Sequence, residues 1–258
     1  MRVVLLGTGT SFGVPQVGCH CRTCTSSDPR DRRTRTAALV DASPSGGRLL
    51  IDTPPELRLQ LVAHEVDHVD AVLYTHAHAD HVHGIDDLRG LSIHSPEGLR
   101  AYGPADALAD LVSRFGYAFD AAPPRPGTSK PRLVPAPVAA FDPVEIAGIT
   151  VLPLPLPHGG MTVFGYRIGP IAYLTDAKAV PEAVRTRLAG VEVLVLNALL
   201  ARPHPLHLSI PEAIATAQAI GAPRTLLTHL THATPHAELA ASLPAGIEPA
   251  FDGQVVDV

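Results

Sequence analysis

The densest chemistry in the chain lies in residues 71–84, AVLYTHAHADHVHG, where a short apolar run ends in His76, His78, Asp80 and His81. Imidazole and carboxylate donors suit zinc, manganese or iron. Residues 71–74 read as a buried strand, and its extension projects His76 and His78 to the same side, because strand side chains repeat every two residues. They can share one cation. Ala79-Asp80-His81 then turns the chain, so Asp80 and His81 point to a neighbouring position, where a second cation would sit. Two such ions can hold a hydroxide between them at neutral pH. A lone histidine near a strand end is ordinarily hydrogen-bonded or solvated, but four donors this close have few structural uses.

A second cluster, Cys19-His20-Cys21-Arg22-Thr23-Cys24, holds all three cysteines. An odd number packed this tightly cannot form a disulfide framework, which leaves a metal site or redox chemistry. Three thiolates supply three corners of a tetrahedron, and structural zinc needs a fourth Cys or His from elsewhere.

The elements that must position these groups follow from hydrophobic periodicity. Residues 2–6 read as a strand that is continuously apolar after Arg2, as in the buried centre of a sheet. Gly7 and Gly9 follow without the spacing of a dinucleotide loop, so a tight loop bringing backbone close to the site is expected. A hairpin over 36–41 and 48–51, a helix over 54–66 and a strand over 70–74 form a strand-helix-strand crossover that runs into the histidine cluster. Further strands are predicted at 100–103, 144–146, 149–156, 163–168, 171–174, 191–196 and 224–227. Helices are predicted at 82–91, 106–115, 181–188 and from Ser209, an N-cap, through 220. Residues 121–140 are proline-rich without regular period and read as an exposed loop, a passive surface insertion in preference to a lid over the site. Pro153, Pro155 and Pro157 alternate, so their missing N–H groups share one side, which predicts an edge strand ending in His158.

At 258 residues and 46% hydrophobic content the chain can bury a full core, and nothing in its composition marks a boundary within 1–258, which reads as a single domain. The apolar run at 3–6 is too short for a signal peptide or membrane span, so a soluble cytoplasmic protein is expected. A formal charge of -5 argues against an obligate nucleic-acid binder. The one basic run, 30–35, reads as a solvated loop face.

The string His76-Ala77-His78-Ala79-Asp80-His81 resembles the HxHxDH signature of the metallo-β-lactamase fold hydrolases. The resemblance extends over nearly the whole chain and implies an α/β fold, a four-layer αββα sandwich. It further implies two metal sites: His76, His78 and His158 at one, Asp80, His81 and His229 at the other, with Asp176 bridging them. The N-terminal CxCxxC narrows the likeness to the phosphodiesterases of the carbon-phosphorus lyase pathway, which hydrolyse cyclic phosphates. Residues 7–15 (GTGTSFGVP), 152–158 (LPLPLPH), 227–232 (LTHLTH) and 251–253 (FDG) share that context. This branch implies one structural zinc held by Cys19, Cys21, Cys24 and His232, in a zinc-binding loop at 13–34. It also places His207 on the substrate side, to stabilise a phosphate oxygen or protonate the leaving alkoxide.

The expected reaction is hydrolysis of a small phosphodiester, cyclic or nucleotide-like, by a hydroxide bridging two zinc or manganese ions, with Asp80 and His207 as catalytic residues. Related enzymes are often dimeric, so a homodimer is expected from the resemblance. The rivals on the same fold are a tRNA 3′-end endonuclease, a carboxylic or thioester hydrolase, and an oxidative enzyme similar to pyrroloquinoline quinone biosynthesis proteins. The endonucleases grip RNA with a basic arm, and this chain has only Lys130 and Lys178 as lysines.

Overall fold

The structure, a computed structural model, describes residues 1–93, 95 and 97–258. From the N-terminus the chain forms β1 (Arg2–Gly7), β2 (Ala37–Asp41), β3 (Arg48–Ile51), α1 (Leu57–Ala63), β4 (Ala71–Leu73), α2 (Ala79–Val82) and α3 (Arg89–Ser92). Next come β5 (Leu99–Gly103), α4 (Ala105–Arg114), α5 (Gly116–Phe119), β6 (Leu133–Pro137), β7 (Val144–Ile146) and β8 (Ile149–His158). The remainder is β9 (Met161–Ile168), β10 (Ile171–Leu174), α6 (Glu182–Arg185), β11 (Val193–Asn197), α7 (Ile210–Ile220), β12 (Arg224–Thr228), α8 (His236–Ser242), β13 (Ile247–Pro249) and β14 (Gln254–Asp257).

The strands make two sheets of seven, ordered β14-β1-β2-β3-β4-β5-β6 and β13-β12-β11-β10-β9-β8-β7. Each sheet is half meander and half crossover. In the first, β14 to β3 pair antiparallel and β3 to β6 parallel. In the second, β7 to β10 pair antiparallel and β10 to β13 parallel. Val3, Leu5 and Ile51 of one sheet meet Tyr166, Ile171 and Val195 of the other in a shared core. Leu57 of α1 and Leu111 of α4 cover the outer face of the first sheet. Val184 of α6, Ala213 of α7 and Leu239 of α8 cover that of the second. The result is an αββα sandwich, because each sheet has two apolar faces and each helix one stripe to bury.

Most expected elements are present. The β2–β3 hairpin and the β3-α1-β4 crossover lie where the periodicity puts them. Helix α7 starts at a capping box between Ser209 and Glu212, and Gly221 closes it at φ 76°. Beyond its short pairing with β7, β8 is an edge, and the carbonyls of Pro153 and Pro157 turn outward to accept from Phe141 N and Lys178 N at 2.9 and 2.8 Å.

Three expectations need correction. Residues 121–140 are not loop throughout, since β6 pairs with β5 in parallel register. A rim strand bonded on one side tolerates Pro135 and Pro137, whose absent N–H groups cost no second ladder. Gly7 and Gly9 do bring backbone together, but against the 33–35 segment: a Cβ on Gly7 would stand 2.0 Å from Arg35 O, and one on Gly9 2.6 Å from Arg33 O. The basic run is a solvated face only in part: Arg30 and Arg32 are exposed, whereas Arg33 is 1% exposed. Its guanidinium donates to Thr231 O and Thr234 O and pairs with Asp31 at 3.4 Å, while its backbone pairs with Val14. Asp31 in turn accepts from His236 N at 2.6 Å at the start of α8.

Buried Arg33 therefore ties the segment before the cysteines to the turn that carries His232. Arg33→Ala would strand two carbonyls and a carboxylate, and should lower unfolding free energy by about 3 kcal/mol or more. Urea titration of wild type and variant reads this directly, and a loss below about 1 kcal/mol would contradict the buried-tie account.

Candidate metal centre

The predicted ligands come from the ends of strands that open on one rim of the sandwich. His76, His78, Asp80 and His81 follow β4, His158 ends β8, Asp176 follows β10, and His229 follows β12. Hydrogen bonds from Tyr166 Oη to Tyr74 O (2.6 Å) and from Phe164 N to Thr75 O (2.9 Å) join the two sheets just before His76. Asp52, Asp176 and His229 adopt φ of 61°, 56° and 58°. Non-glycine residues rarely stay in that left-handed region unless their surroundings hold them there, and such strain gathers at functional sites.

The structure brings together His76, His78 and His158 as one group of donor atoms, and Asp80, His81 and His229 as another. Asp176 lies between them. Its Oδ1 is 3.4 Å from Nε2 of both His81 and His229, whereas Oδ2 faces Nε2 of His76 at 3.9 Å and of His158 at 4.0 Å. The carboxylate thus presents one oxygen to each group. These separations are too long for good hydrogen bonds. They suit donors around a shared ion, since two ligand atoms about 2.1 Å from one tetrahedral cation stand about 3.4 Å apart.

The polar satisfaction of the site tells the same story. Among the described residues, Nε2 of His76, Nε2 of His81 and both ring nitrogens of His229 are buried without a hydrogen-bond partner. Unpaired buried nitrogens are costly, so a cluster of them implies a missing partner. A divalent cation fits: the donors are imidazole and carboxylate, and several imidazoles already have their second nitrogen engaged. His81 Nδ1 lies 2.7 Å from Asp52 Oδ2, His158 Nδ1 3.1 Å from Leu206 O, and His76 Nδ1 3.0 Å from Thr75 Oγ1. The contacts to Asp52 and Leu206 fix the N–H on Nδ1 and leave Nε2 as a lone pair.

Electrostatics follow from burial and packing. Burial disfavours the charged form of Asp176, yet His229 and His81 hold its carboxyl well below the usual range. Burial also opposes a cation on His81, but Asp176 and Asp52 raise its pKa well above the ordinary value. A metal ion would take the place of that proton. Burial first, then His81, keeps His76 neutral. His78 alone of the set is exposed, which leaves that side of the centre open to solvent.

His207 sits inside this group rather than on an outer loop face. Its ring stacks on His229 at 4.8 Å, and its buried Nδ1 is 3.8 Å from Asp176 Oδ2. Burial and the neighbouring His229 push its pKa down to about 3. It is therefore an uncharged donor or acceptor at neutral pH.

Asp52, immediately after β3, is a functional residue that the sequence motifs do not single out. It is fully buried and accepts from Thr75 N, Thr75 Oγ1 and His81, all within 2.8 Å. The available signal was topological: β3 neighbours β4, so a carboxylate at its end must lie beside the turn after β4.

The cysteine cluster forms a second centre. Sγ of Cys19, Cys21 and Cys24 lie 3.2, 3.4 and 3.4 Å from His232 Nδ1. Four donors of this type at these distances fit a tetrahedral zinc. The centre joins the loop after β1 to the one after β12, where Leu230 N also donates to Thr8 O at 2.9 Å. Asp252 reinforces the same junction by accepting from backbone and hydroxyl of both Thr8 and Thr34.

Asp52→Ala should weaken metal retention at the central cluster about 10–100-fold, because His81 loses the partner that orients it. Competition with a fluorescent zinc chelator measures this, and unchanged retention would remove Asp52 from the centre.

A family model described as "Beta-lactamase superfamily domain" matches residues 36–230. An octanoyltransferase of Porphyromonas gingivalis is 42% identical over 255 residues, 98% of this chain and 51% of that protein, so the chain spans about half the length of that relative. Coenzyme PQQ synthesis protein B of Methylobacterium nodulans is 30% identical over 234 residues, covering 76% of this chain and 72% of that protein. Among solved structures, a diphosphatase from the PhnP family superposes with a TM-score of 0.91 at 36% identity, with 100% of this chain and 97% of that one covered. The chain therefore belongs to the β-lactamase superfamily, has the metallo-β-lactamase fold of its hydrolases, and lies in the PhnP-like branch.

Proposed function

We propose that the chain is a hydrolase of small phosphodiesters that works with two divalent cations, zinc or manganese, and carries one structural zinc. Its main support is the placement of Asp176, whose two oxygens face two separate groups of imidazoles, with Nε2 of His76, His81 and His229 buried and without a hydrogen-bond partner. His76, His78 and His158 would hold one ion and Asp80, His81 and His229 the other, with Asp176 shared. Such a pair supplies a nucleophile at neutral pH and neutralises charge on the phosphoryl oxygens. The protein's own part is to orient and to exclude. Asp52 and Leu206 O fix the rings of His81 and His158. Asp80 Oδ2, 3.6 Å from His81 Nε2, sits where it can also accept a hydrogen bond from the attacking water. His207, beside Asp176, would donate a hydrogen bond to a substrate oxygen, either a phosphate oxygen or that of the leaving alkoxide.

Phosphorus is favoured over carbon as the site of attack because the diphosphatase is similar along almost the full length of both chains. A carboxylic or thioester hydrolase is the second reading, and the octanoyltransferase relative favours it. That name belongs to a protein of which this chain matches about half the length. Against RNA as substrate, Lys130 pairs with Asp120 at 3.0 Å and Lys178 with Glu212 at 2.8 Å, so both lysines are already engaged.

His76→Ala should lower kcat/KM for bis(p-nitrophenyl) phosphate by at least about a thousandfold, since nucleophile generation and charge neutralisation are lost together. Wild-type turnover by a metal-quantified sample of the variant would refute the assignment. Turnover of p-nitrophenyl acetate but of no phosphodiester by the wild type would instead favour the ester reading.

A further inference from the structure

Beside His232 of the cysteine centre lies a cavity of about 500 Å³, within the range of small-molecule sites. Its walls come from the loops that carry the ligands. Thr231 is two residues beyond His229, and Arg202 lies on the segment that runs through His204 to His207, whose rings are 5.2 Å apart. The loops that wall it are therefore the same ones that carry His207 and His229.

The cavity's chemistry is specific. Phe12, Leu200, Ala201 and Ala233 give it apolar surface, and the Phe12 ring is 64% exposed in a chain that has no tryptophan. This exposure is built in: Gly13 N donates to Thr10 O at 2.8 Å across the turn, Gly9 N to Thr34 O on one side, and Val14 pairs with Arg33 on the other. A pinned turn thus holds an aromatic face out in solvent. Thr10 and Gln16 add hydrogen-bonding groups at the rim, and exposed Arg202 adds a cation. A flat ring with polar edges and an attached anion matches all of these, whereas an alkyl chain would use only the apolar part.

We propose that this cavity binds the nucleobase and adjoining phosphate of a nucleoside diphosphate ester, with the base stacked on Phe12 and the phosphate on Arg202. The scissile phosphate then lies at the metal-ligand cluster, and for that position alone the assignment rests on the phosphodiesterase reading.

Calorimetric titration of the purified protein with ADP reads the cavity without turnover. Phe12→Ala and Arg202→Gln should each weaken ADP binding about tenfold, the scale of one base–aromatic stack or one charge-assisted hydrogen bond. In the metal-loaded enzyme, the same substitutions should lower the ratio of kcat/KM for a dinucleoside diphosphate to that for methyl p-nitrophenyl phosphate, again about tenfold. Both side chains are exposed, so circular dichroism melts should show the variants folded. Absence of ADP binding, equal binding by wild type and Phe12→Ala, or an unchanged ratio would overturn the proposal. So would binding of an octanoyl thioester without ADP, which would give the cavity to an acyl chain. Phe12-dependent ADP binding by a protein that cleaves neither diester would uphold the cavity assignment and refute the phosphodiesterase reading, so the two fail separately.

Discussion

A carboxylate buried among imidazoles is the constraint on which this molecule turns. Asp176 is 2% exposed, sits at a left-handed backbone angle after β10, and directs its two oxygens at histidines from three other strand ends. Burying carboxylates among imidazole rings, with ring nitrogens left unpaired, is unfavourable in an apolar core unless cations complete the arrangement. The need for such partners explains why the donors converge and why so few of them bond to one another.

The sandwich meets that need by symmetry of construction. Each sheet places its parallel half so that strand ends open on the same rim, and each contributes a carboxylate and histidines there. The rigid strands set the spacing of the two groups. Smaller ties hold the loops: Asp52 beneath His81, Leu206 O behind His158, the Tyr166 bond across the sheets, and the Arg33 and cysteine junctions below His229. The cysteine centre acts at a distance, since it fixes the loop that bears His229 and one wall of the adjoining cavity.

Much of this was legible in the residues. Apolar runs such as β1, β8 and β11 and the Ser209 cap announce themselves, because periodicity and capping chemistry are local properties. The 76–81 motif is legible for the same reason, its donors lying within two turns of chain. His158, Asp176 and His229 carry no local signal, since a polar residue after a strand is commonplace, and only the family likeness picked them out. Asp52 escaped because its function depends on which strand lies beside it. Arg33 escaped because a run of arginines reads as solvated until the fold closes over one member. The short β13 and β14 and helix α8 went unread; four residues or fewer give a strand no period, and α8 lacks a side-chain N-cap.

Metal content determined by mass spectrometry on the purified protein, alongside its diester turnover, tests the central claim most directly. The account predicts about three equivalents of divalent metal per chain, two of them removed by a mild chelator together with all phosphodiester cleavage and one retained until the thiols are modified. A single tightly held zinc, with cleavage absent or insensitive to chelation, would contradict it.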